Sequence, residues 1–327
     1  ISADGRYVAF ESFASNLVAG DTSAFSEAFV HDRVTGATTC VSVDSTGARG
    51  NGNSYDPSIS ADGSCVVFLS YSTDFVADDA NGCLDFFVHD RVTGATTCVS
   101  VDSSGIPGNA ESLSWSISAD GRYVAFQSLA SNLVAGDTNG ANDAFVHDRV
   151  TGQTTRVSVD SAGVQANLAS GPPSISADGR YVAFHSAASN LVAGDTNGVG
   201  DVFVHDRLTG KTTRVSVDST GAQAYWGGSA DPTISSYGRY VGFDSYADNL
   251  VVGDTTGTVD SFVHDRVTGE TNRVIVSSTG AEGSGSSSSI SADGRHVVFS
   301  TSSNLETGDV GGVDVYVHDR VTRETTR

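Results

Sequence analysis

Residues 1–10 read Ile-Ser-Ala-Asp-Gly-Arg-Tyr-Val-Ala-Phe, and this stretch decides the fold because it returns along almost the whole chain. Altered copies begin at Ile59, Ile117, Ile175, Ile234 and Ile290. Repetition at such a period is typical of a solenoid, a propeller or an array. Features common to all six copies are therefore expected to build the fold, and features that differ between copies are candidates for function.

Each copy is predicted to form four short antiparallel strands. In the fourth copy, the Ser-Ala-Asp-Gly sequence at 176–179 is a tight-turn signal, and the segments 180–184, 201–206, 212–217 and 232–235 have strand patterns. Six such units predict an all-β fold, a six-bladed β-propeller of four-stranded antiparallel blades with about 58 residues per repeat. We expect a single domain over residues 1–327. A right-handed β-helix is the alternative, although its coils are usually much shorter.

The blade pattern resembles a known bacterial repeat. Ser-x-Asp-Gly-(Arg)-x-(Val/Ile)-x-Phe, followed by an Asp-x-Phe-Val-x-Asp strand, is similar to the TolB-type propeller repeat and extends over all six units. The fifth unit departs from it, with Ser-Tyr-Gly at 236–238. The resemblance leaves function open, because such propellers serve as periplasmic binding proteins, enzyme domains and scaffolds. The first and last copies are incomplete, so we expect a piece excised from a longer polypeptide.

The charge narrows the classes of partner. The formal net charge is −21, with 18 basic against 39 acidic residues. Such a field repels nucleic acid and anionic membranes, so neither is an expected partner. No apolar run approaches the roughly 18 residues needed to cross a bilayer. We expect a bacterial extracellular or cell-surface location, with the periplasm as an alternative.

The second connection of each unit is acidic and predicts cation binding. Three copies place Asp, Asn and Asp at positions one, three and seven, with Gly at position four, which suits a loop that wraps calcium. Ordinary Asx-turn chemistry is the alternative explanation. The fifth and sixth copies keep only the two Asp residues, and the first copy (Asp21, Ser23, Glu27) is expected to be weak or empty. The predicted ligands of several structural Ca²⁺ ions are Asp79, Asn81, Asp85, Asp137, Asn139, Asp143, Asp195, Asn197, Asp201, Asp254, Asp260, Asp309 and Asp314.

Cysteine and histidine carry weaker signals. Cys40 and Cys98 occupy the position that later units give to Arg156, Arg214 and Arg273, and are unlikely to bond each other; whether any disulfide forms stays open. Six histidines share one position in the third strand, each followed by Asp-Arg. Since one active site needs one constellation, we expect these histidines to pack between blades with a polar partner: His31, His89, His147, His205, His264 and His318.

Positions that vary between units are the candidate ligand contacts. One position ends the second strand and holds Glu11, Gln127, His185 and Asp244 in four of the units. Trp115, Tyr225 and Trp226 lie in or beside the fourth connections, where aromatic faces suit sugars or protein partners. Exposure alone, or packing at a blade edge, explains these residues equally well.

These features predict a secreted, calcium-stabilised and non-catalytic binding or scaffold module. Its partner would be a protein or an extracellular polysaccharide, held by the face of long loops. One alternative is a building block of a larger extracellular assembly. The other is a metal-dependent polysaccharide lyase or hydrolase with a site at the ring centre, although the chain contains no nucleophile elbow, zinc-protease or phosphate-loop motif.

Overall fold

The computed structural model describes residues 1–77, 79, 81–254, 257–306 and 311–327. The chain divides into two compact units, residues 1–156 and 157–327. Each unit contains three antiparallel sheets whose strands follow one another in chain order. The prediction of a single domain over 1–327 stays a prediction.

The first unit holds sheets one to three. The first sheet contains β1 (Tyr7–Ser12), β2 (Glu27–Asp32) and β3 (Thr38–Cys40). The second contains β4 (Ser54–Ile59), β5 (Cys65–Ser70), β6 (Asp85–Asp90) and β7 (Thr96–Cys98). The third contains β8 (Ser112–Ile117), β9 (Tyr123–Ser128), β10 (Asp143–Asp148) and β11 (Gln153–Arg156).

The second unit holds sheets four to six. The fourth contains β12 (Ser174–Ile175), β13 (Tyr181–Ser186), β14 (Asp201–Asp206) and β15 (Lys211–Arg214). The fifth contains β16 (Ser229–Ile234), β17 (Tyr240–Ser245), β18 (Asp260–Asp265) and β19 (Thr271–Arg273). The sixth contains β20 (Gly285–Ile290), β21 (His296–Thr301), β22 (Asp314–Asp319) and β23 (Glu324–Thr326).

The strands match the predicted pattern, with differences at their ends. Strand β14 has the predicted bounds, whereas the strand expected at 212–217 is β15 and ends at Arg214. Strand β12 has only two residues because Pro172 and Pro173 precede it and cannot donate to a strand ladder. These six sheets confirm the predicted repeat of antiparallel blades. No helix in the described part of the chain is long and apolar enough to cross a membrane.

The repeated Ser-x-Asp-Gly turn also packs one sheet against the next. A Cβ added at Gly238 would lie 2.2 Å from the Tyr181 ring, so only glycine fits between the fourth and fifth sheets. Gly238 also has φ +70°, which glycine adopts readily. Arg266 stacks on the same Tyr181 ring, 4.5 Å from its centroid. The glycine of this turn, which the fifth unit keeps although its turn reads Ser-Tyr-Gly, therefore serves both the turn and the contact between sheets.

The core of each unit lies between successive sheets. Phe184 and Phe203 are fully buried and stack across β13 and β14, with centroids 5.9 Å apart. Val202 and Val204 point the other way and pack with Phe243 and Phe262 of the fifth sheet. Both faces of the central strands are thus buried, which is the reason that residues 202–204 of β14 are all apolar.

Antiparallel strands in chain order give each sheet two different ends. The first and third connections are tight and lie at one end, here called the short-turn end. The second connection and the link to the next sheet are long and lie at the other, here called the long-loop end. The acidic loops and the variable aromatic residues belong to the long-loop end.

Candidate functional site

The acidic loop of the fourth sheet gives the geometry that the others follow. Asp201, at the start of β14, is fully buried, and its Oδ1 accepts a hydrogen bond from Ser216 Oγ at 2.6 Å. Its Oδ2 accepts from Asn197 Nδ2 at 2.9 Å, and the same amide nitrogen donates to the carbonyl of Ala224 at 2.8 Å. Asn197 therefore ties the acidic loop to the next long connection.

An arginine supplies positive charge between the two carboxylates of this loop. Arg214 Nη1 lies 3.2 Å from Asp195 Oδ1 and 3.1 Å from Asp201 Oδ2, and its side chain is almost buried. Burial and the charge of Asp201 raise the pKa of Asp195, and Arg214 opposes that rise. Buried carboxylates are normally retained only when paired in this way.

The third and fifth sheets repeat the arrangement. Arg156 pairs with Asp137 and Asp143, both at 3.3 Å. Arg273 pairs with Asp254, with Asp260 at 3.2 Å and with Glu282 at 2.8 Å. In the first sheet the arginine comes from a different position, since Arg49 pairs with Asp21 at 3.3 Å and with Glu27. In the sixth sheet Arg327 lies 3.5 Å from Asp314; Asp309 lies outside the described residues.

The acidic loop of the second sheet has the same carboxylates and no arginine. Asp85 is fully buried, with Oδ1 accepting from Ser100 Oγ at 2.6 Å and Oδ2 from Asn81 Nδ2 at 2.7 Å. Cys98 stands where the fourth sheet has its arginine, and Pro107 stands where the first sheet has Arg49. Among the described residues no arginine or lysine forms an ion pair with Asp79 or Asp85.

Asp79 is a buried carboxylate that has no arginine beside it in the described part of the chain. It is 5% exposed, and its Oδ1 has no hydrogen-bond partner. Burial, followed by the negative charge of Asp85, raises the pKa of Asp79 to about 6. Unlike the acidic loops of the first, third, fourth and fifth sheets, this loop therefore holds buried carboxylates with no arginine beside them among the described residues.

The sequence shows that arginine and cysteine share one position of the repeat, but it does not predict that the arginines pair with the acidic loop. In the third, fourth and fifth sheets, a guanidinium group lies among the predicted calcium ligands. This group competes with a cation for the same carboxylates. No group of three or more His, Cys, Asp or Glu side chains arranged for a metal ion is present within the described ranges. The calcium prediction for these loops stays a prediction.

The four cysteines are free thiols. Cys40, Cys65, Cys83 and Cys98 form no disulfide in this structure, which answers the question that the sequence left open. Burial, with a contribution from the charge of Asp85, raises the pKa of Cys98 to about 12. That thiol is neutral at neutral pH.

Each of the six repeated histidines has a polar partner, as predicted; this partner is a threonine, which in five of the six cases also bonds to the preceding unit. His205 Nδ1 lies 2.9 Å from Thr212 Oγ1, and that hydroxyl donates to the carbonyl of Val159 at 2.5 Å. The hydroxyl has one hydrogen, so His205 Nδ1 must be the donor to it, which fixes the tautomer. Burial lowers the pKa of His89, His205, His264 and His318, and that of His147 to about 4. The same contact at 2.9 Å recurs at His31, His89, His147, His264 and His318.

The variable strand-end position holds residues with different surroundings. Glu11 is exposed and accepts from the backbone nitrogen of Asp56 at 2.7 Å. Asp244 is buried and accepts from Ser261 Oγ. His185 is partly buried, its Nδ1 has no hydrogen-bond partner, and Gly171 lies against its ring. Gln127 is partly buried and makes polar contacts. A shared ligand pocket for these four residues stays a prediction.

The two tryptophans have opposite environments. Trp115 packs with its ring centroid 5.1 Å from that of Phe86, a fully buried core residue, which favours a structural role. Trp226 is 90% exposed and has φ +68°, in the left-handed region. Tyr225 beside it is 47% exposed, and Tyr246, against which Gly227 packs, is 59% exposed. The second unit therefore displays three aromatic side chains at its long-loop end.

Comparison with known proteins supports the fold and leaves the activity open. No protein-family model matches the chain, and no curated protein sequence matches it. An oligogalacturonate lyase structure from Vibrio parahaemolyticus has a TM-score of 0.61 at 13% identity, covering 99% of this chain and 75% of that one. The β-propeller domain of the trilobed protease from Pyrococcus furiosus has a TM-score of 0.59 at 12% identity, covering 98% and 79%.

TolB structures are also similar. A TolB-type protein from Agrobacterium tumefaciens has a TM-score of 0.51 at 16% identity, covering 90% of this chain and 85% of that one. The chain spans 58% of the length of a TolB from Acinetobacter baumannii. At such identities the likeness shows the fold, and the chain has the TolB-like β-propeller fold, with six sheets as its blades.

Proposed function

We propose that the chain is a non-catalytic protein-binding module that works outside the cytoplasm, in the periplasm or at the cell surface. The exposed aromatic group Tyr225, Trp226 and Tyr246 is the observation that carries this proposal. Large aromatic side chains are enriched at the centres of protein interfaces and are seldom held in water without a partner. The TolB-like fold favours a protein over a polysaccharide as that partner.

The backbone supports a binding role for this group. Trp226 adopts a left-handed conformation, which costs free energy for any residue other than glycine. Close packing of Gly227 on Tyr246 holds the loop in place, because a Cβ there would lie 2.3 Å from the Tyr246 Cβ. The loop therefore presents Trp226 outward from a defined backbone, which lowers the entropy lost on binding.

The first unit offers a second apolar surface at its long-loop end. Phe13, Tyr71 and Leu129 stand at one repeat position just after the second strand of each sheet, and all three are exposed. Tyr246 holds the same position in the second unit. Exposed apolar side chains at equivalent positions suit a partner that contacts more than one loop.

The test compares two variants, one in the long connection between the fourth and fifth sheets and one in a short turn of the fourth sheet. Trp226→Ala removes the most exposed aromatic side chain, and Leu208→Ala removes a 74% exposed apolar residue from a short turn. Wild type and both variants are immobilised and exposed to envelope proteins of the producing organism, and retained proteins are identified by mass spectrometry. We expect the retained protein to fall at least tenfold with Trp226→Ala and to stay unchanged with Leu208→Ala.

Equal retention by wild type and Trp226→Ala would overturn the proposal. A glycan array probed with the same three proteins separates the polysaccharide alternative. Glycan binding that Trp226→Ala abolishes, without any Trp226-dependent protein, would also contradict a protein partner.

A further inference from the structure

We propose that the acidic loop of the second sheet, through Asp79 and Asp85, binds one hard divalent cation of the calcium class. The cation supplies the positive charge that arginine supplies in the corresponding loops of other sheets. This inference does not depend on the proposed protein-binding role, because it concerns different residues and a different ligand.

The fourth sheet shows which atoms the cation would face. There the guanidinium of Arg214 lies between Asp195 Oδ1 and Asp201 Oδ2. The corresponding atoms of the second sheet are Asp79 Oδ1 and Asp85 Oδ2. Asp79 Oδ1 has no hydrogen-bond partner, and Asp79 is only 5% exposed. Asp85 Oδ2 accepts a hydrogen bond from Asn81 Nδ2. Burial of a carboxylate without a positively charged partner is unfavourable, so this position favours a positive ligand.

The second sheet also has a cavity beside the two residues that stand where other sheets have an arginine. A cavity of about 210 Å³ is lined by Val76, Ala77, Thr97, Cys98, Val101, Gly105 and Pro107. Two of these, Cys98 and Pro107, stand at the positions from which Arg214 and Arg49 reach the carboxylates in other sheets. The second sheet thus has no arginine at either position, and the cavity lies beside both residues that stand there.

The available donor atoms select a hard cation. Carboxylate oxygens and peptide carbonyls with added water are the ligands that calcium prefers. The nearby thiols already have partners, since Cys83 Sγ donates to the carbonyl of Asn81 at 3.7 Å and Cys98 Sγ lies 3.5 Å from Ser100 Oγ. A soft metal would need such sulfur atoms as ligands.

Calcium titration of the chelator-treated full-length chain by calorimetry tests the proposal. Asp79→Asn removes the unpaired carboxylate, and Asp195→Asn is the matched control, because the same substitution falls on a loop that has its arginine. We expect Asp79→Asn to lose one equivalent of bound calcium, or to bind it at least tenfold more weakly. Asp195→Asn should keep the wild-type number of sites, whatever other loops contribute.

A second variant guards against misfolding of the first. Cys98→Arg restores the arginine position without touching a carboxylate, and it should also bind one equivalent fewer. Equal stoichiometry in wild type, Asp79→Asn and Cys98→Arg would overturn the proposal, as would an absence of calcium binding by wild type. Preference for zinc over calcium by a hundredfold would overturn the assignment to a hard cation.

Discussion

The acidic loops of the second and fourth sheets share their carboxylates, their bridging asparagine and their serine donor, and differ in the side chain at the position of Arg214. Ser100 donates to Asp85 at 2.6 Å as Ser216 donates to Asp201 at 2.6 Å. The fourth sheet then places Arg214 between its carboxylates, whereas the second has Cys98 at that position. The difference teaches that the repeat fixes the anionic shell and leaves the source of positive charge to each unit.

Removal of the arginine from the fourth sheet should have the largest effect. Arg214→Ala leaves Asp195 and the fully buried Asp201 without their cation, so we expect a loss of about 3–5 kcal/mol in the free energy of unfolding. Urea unfolding measures it. Lys211→Ala, on the same strand and exposed, is the control and should change stability by less than about 0.5 kcal/mol. A loss below about 1 kcal/mol for Arg214→Ala would mean that the pair of carboxylates does not need its arginine.

Removal of the serine donor should have a smaller effect of equal size in both loops. Ser100→Ala and Ser216→Ala each leave a buried carboxylate oxygen, and the strand nitrogen that the hydroxyl accepts from, without a partner. We expect a loss of about 1–3 kcal/mol in each case, measured by the same unfolding experiment. A large effect in one loop and none in the other would contradict the common anionic shell.

The fold was predictable because the same local signals occur six times. Turn residues, strand alternation and connection lengths are nearly the same in each copy, and the bounds of β14 were correct. The failure at the end of β15 has a simple cause: Val215 still donates to the carbonyl of Val202, but the backbone nitrogen of Val202 donates to the Ser216 hydroxyl in place of a main-chain carbonyl, so the ladder ends there.

The arginine partners were harder to predict because they depend on strand register. Arg214 pairs opposite Phe203, two residues beyond Asp201, so its side chain lies on the face of Asp201. The sequence shows Cys in some units and Arg in others at that position. Only the strand register shows that the arginine faces the carboxylates. Arg49 could not be assigned at all, because it reaches its carboxylates from a long connection of irregular conformation.

Transfer of the arginine into the second sheet should be mildly stabilising. Cys98→Arg is expected to raise the free energy of unfolding by about 1 kcal/mol in chelator, because the new charge faces Asp79 and Asp85. Thermal unfolding with and without calcium measures the effect, and the calcium dependence seen in wild type should disappear. A variant that is less stable than wild type in chelator, and still responds to calcium, would contradict this prediction.

The pH dependence of the second loop should report the raised pKa of Asp79. The pKa of Asp79 is raised to about 6, so the folded state takes up a proton that the unfolded state has lost. Its contribution to stability is therefore present below pH 4 and is lost as the pH rises through about 6. In chelator, the melting temperature of Asp79→Asn relative to wild type should rise between pH 4 and pH 6 and then level off. A constant difference across this range would contradict a raised pKa.

The calcium stoichiometry of Arg214→Cys tests the central claim most directly, because this substitution gives the fourth sheet the residue that the second sheet has at the arginine position. Calorimetric titration after chelator treatment should give one more equivalent of calcium than wild type. The same stoichiometry as wild type in a folded Arg214→Cys protein would contradict the claim that a cation and an arginine are interchangeable in these loops.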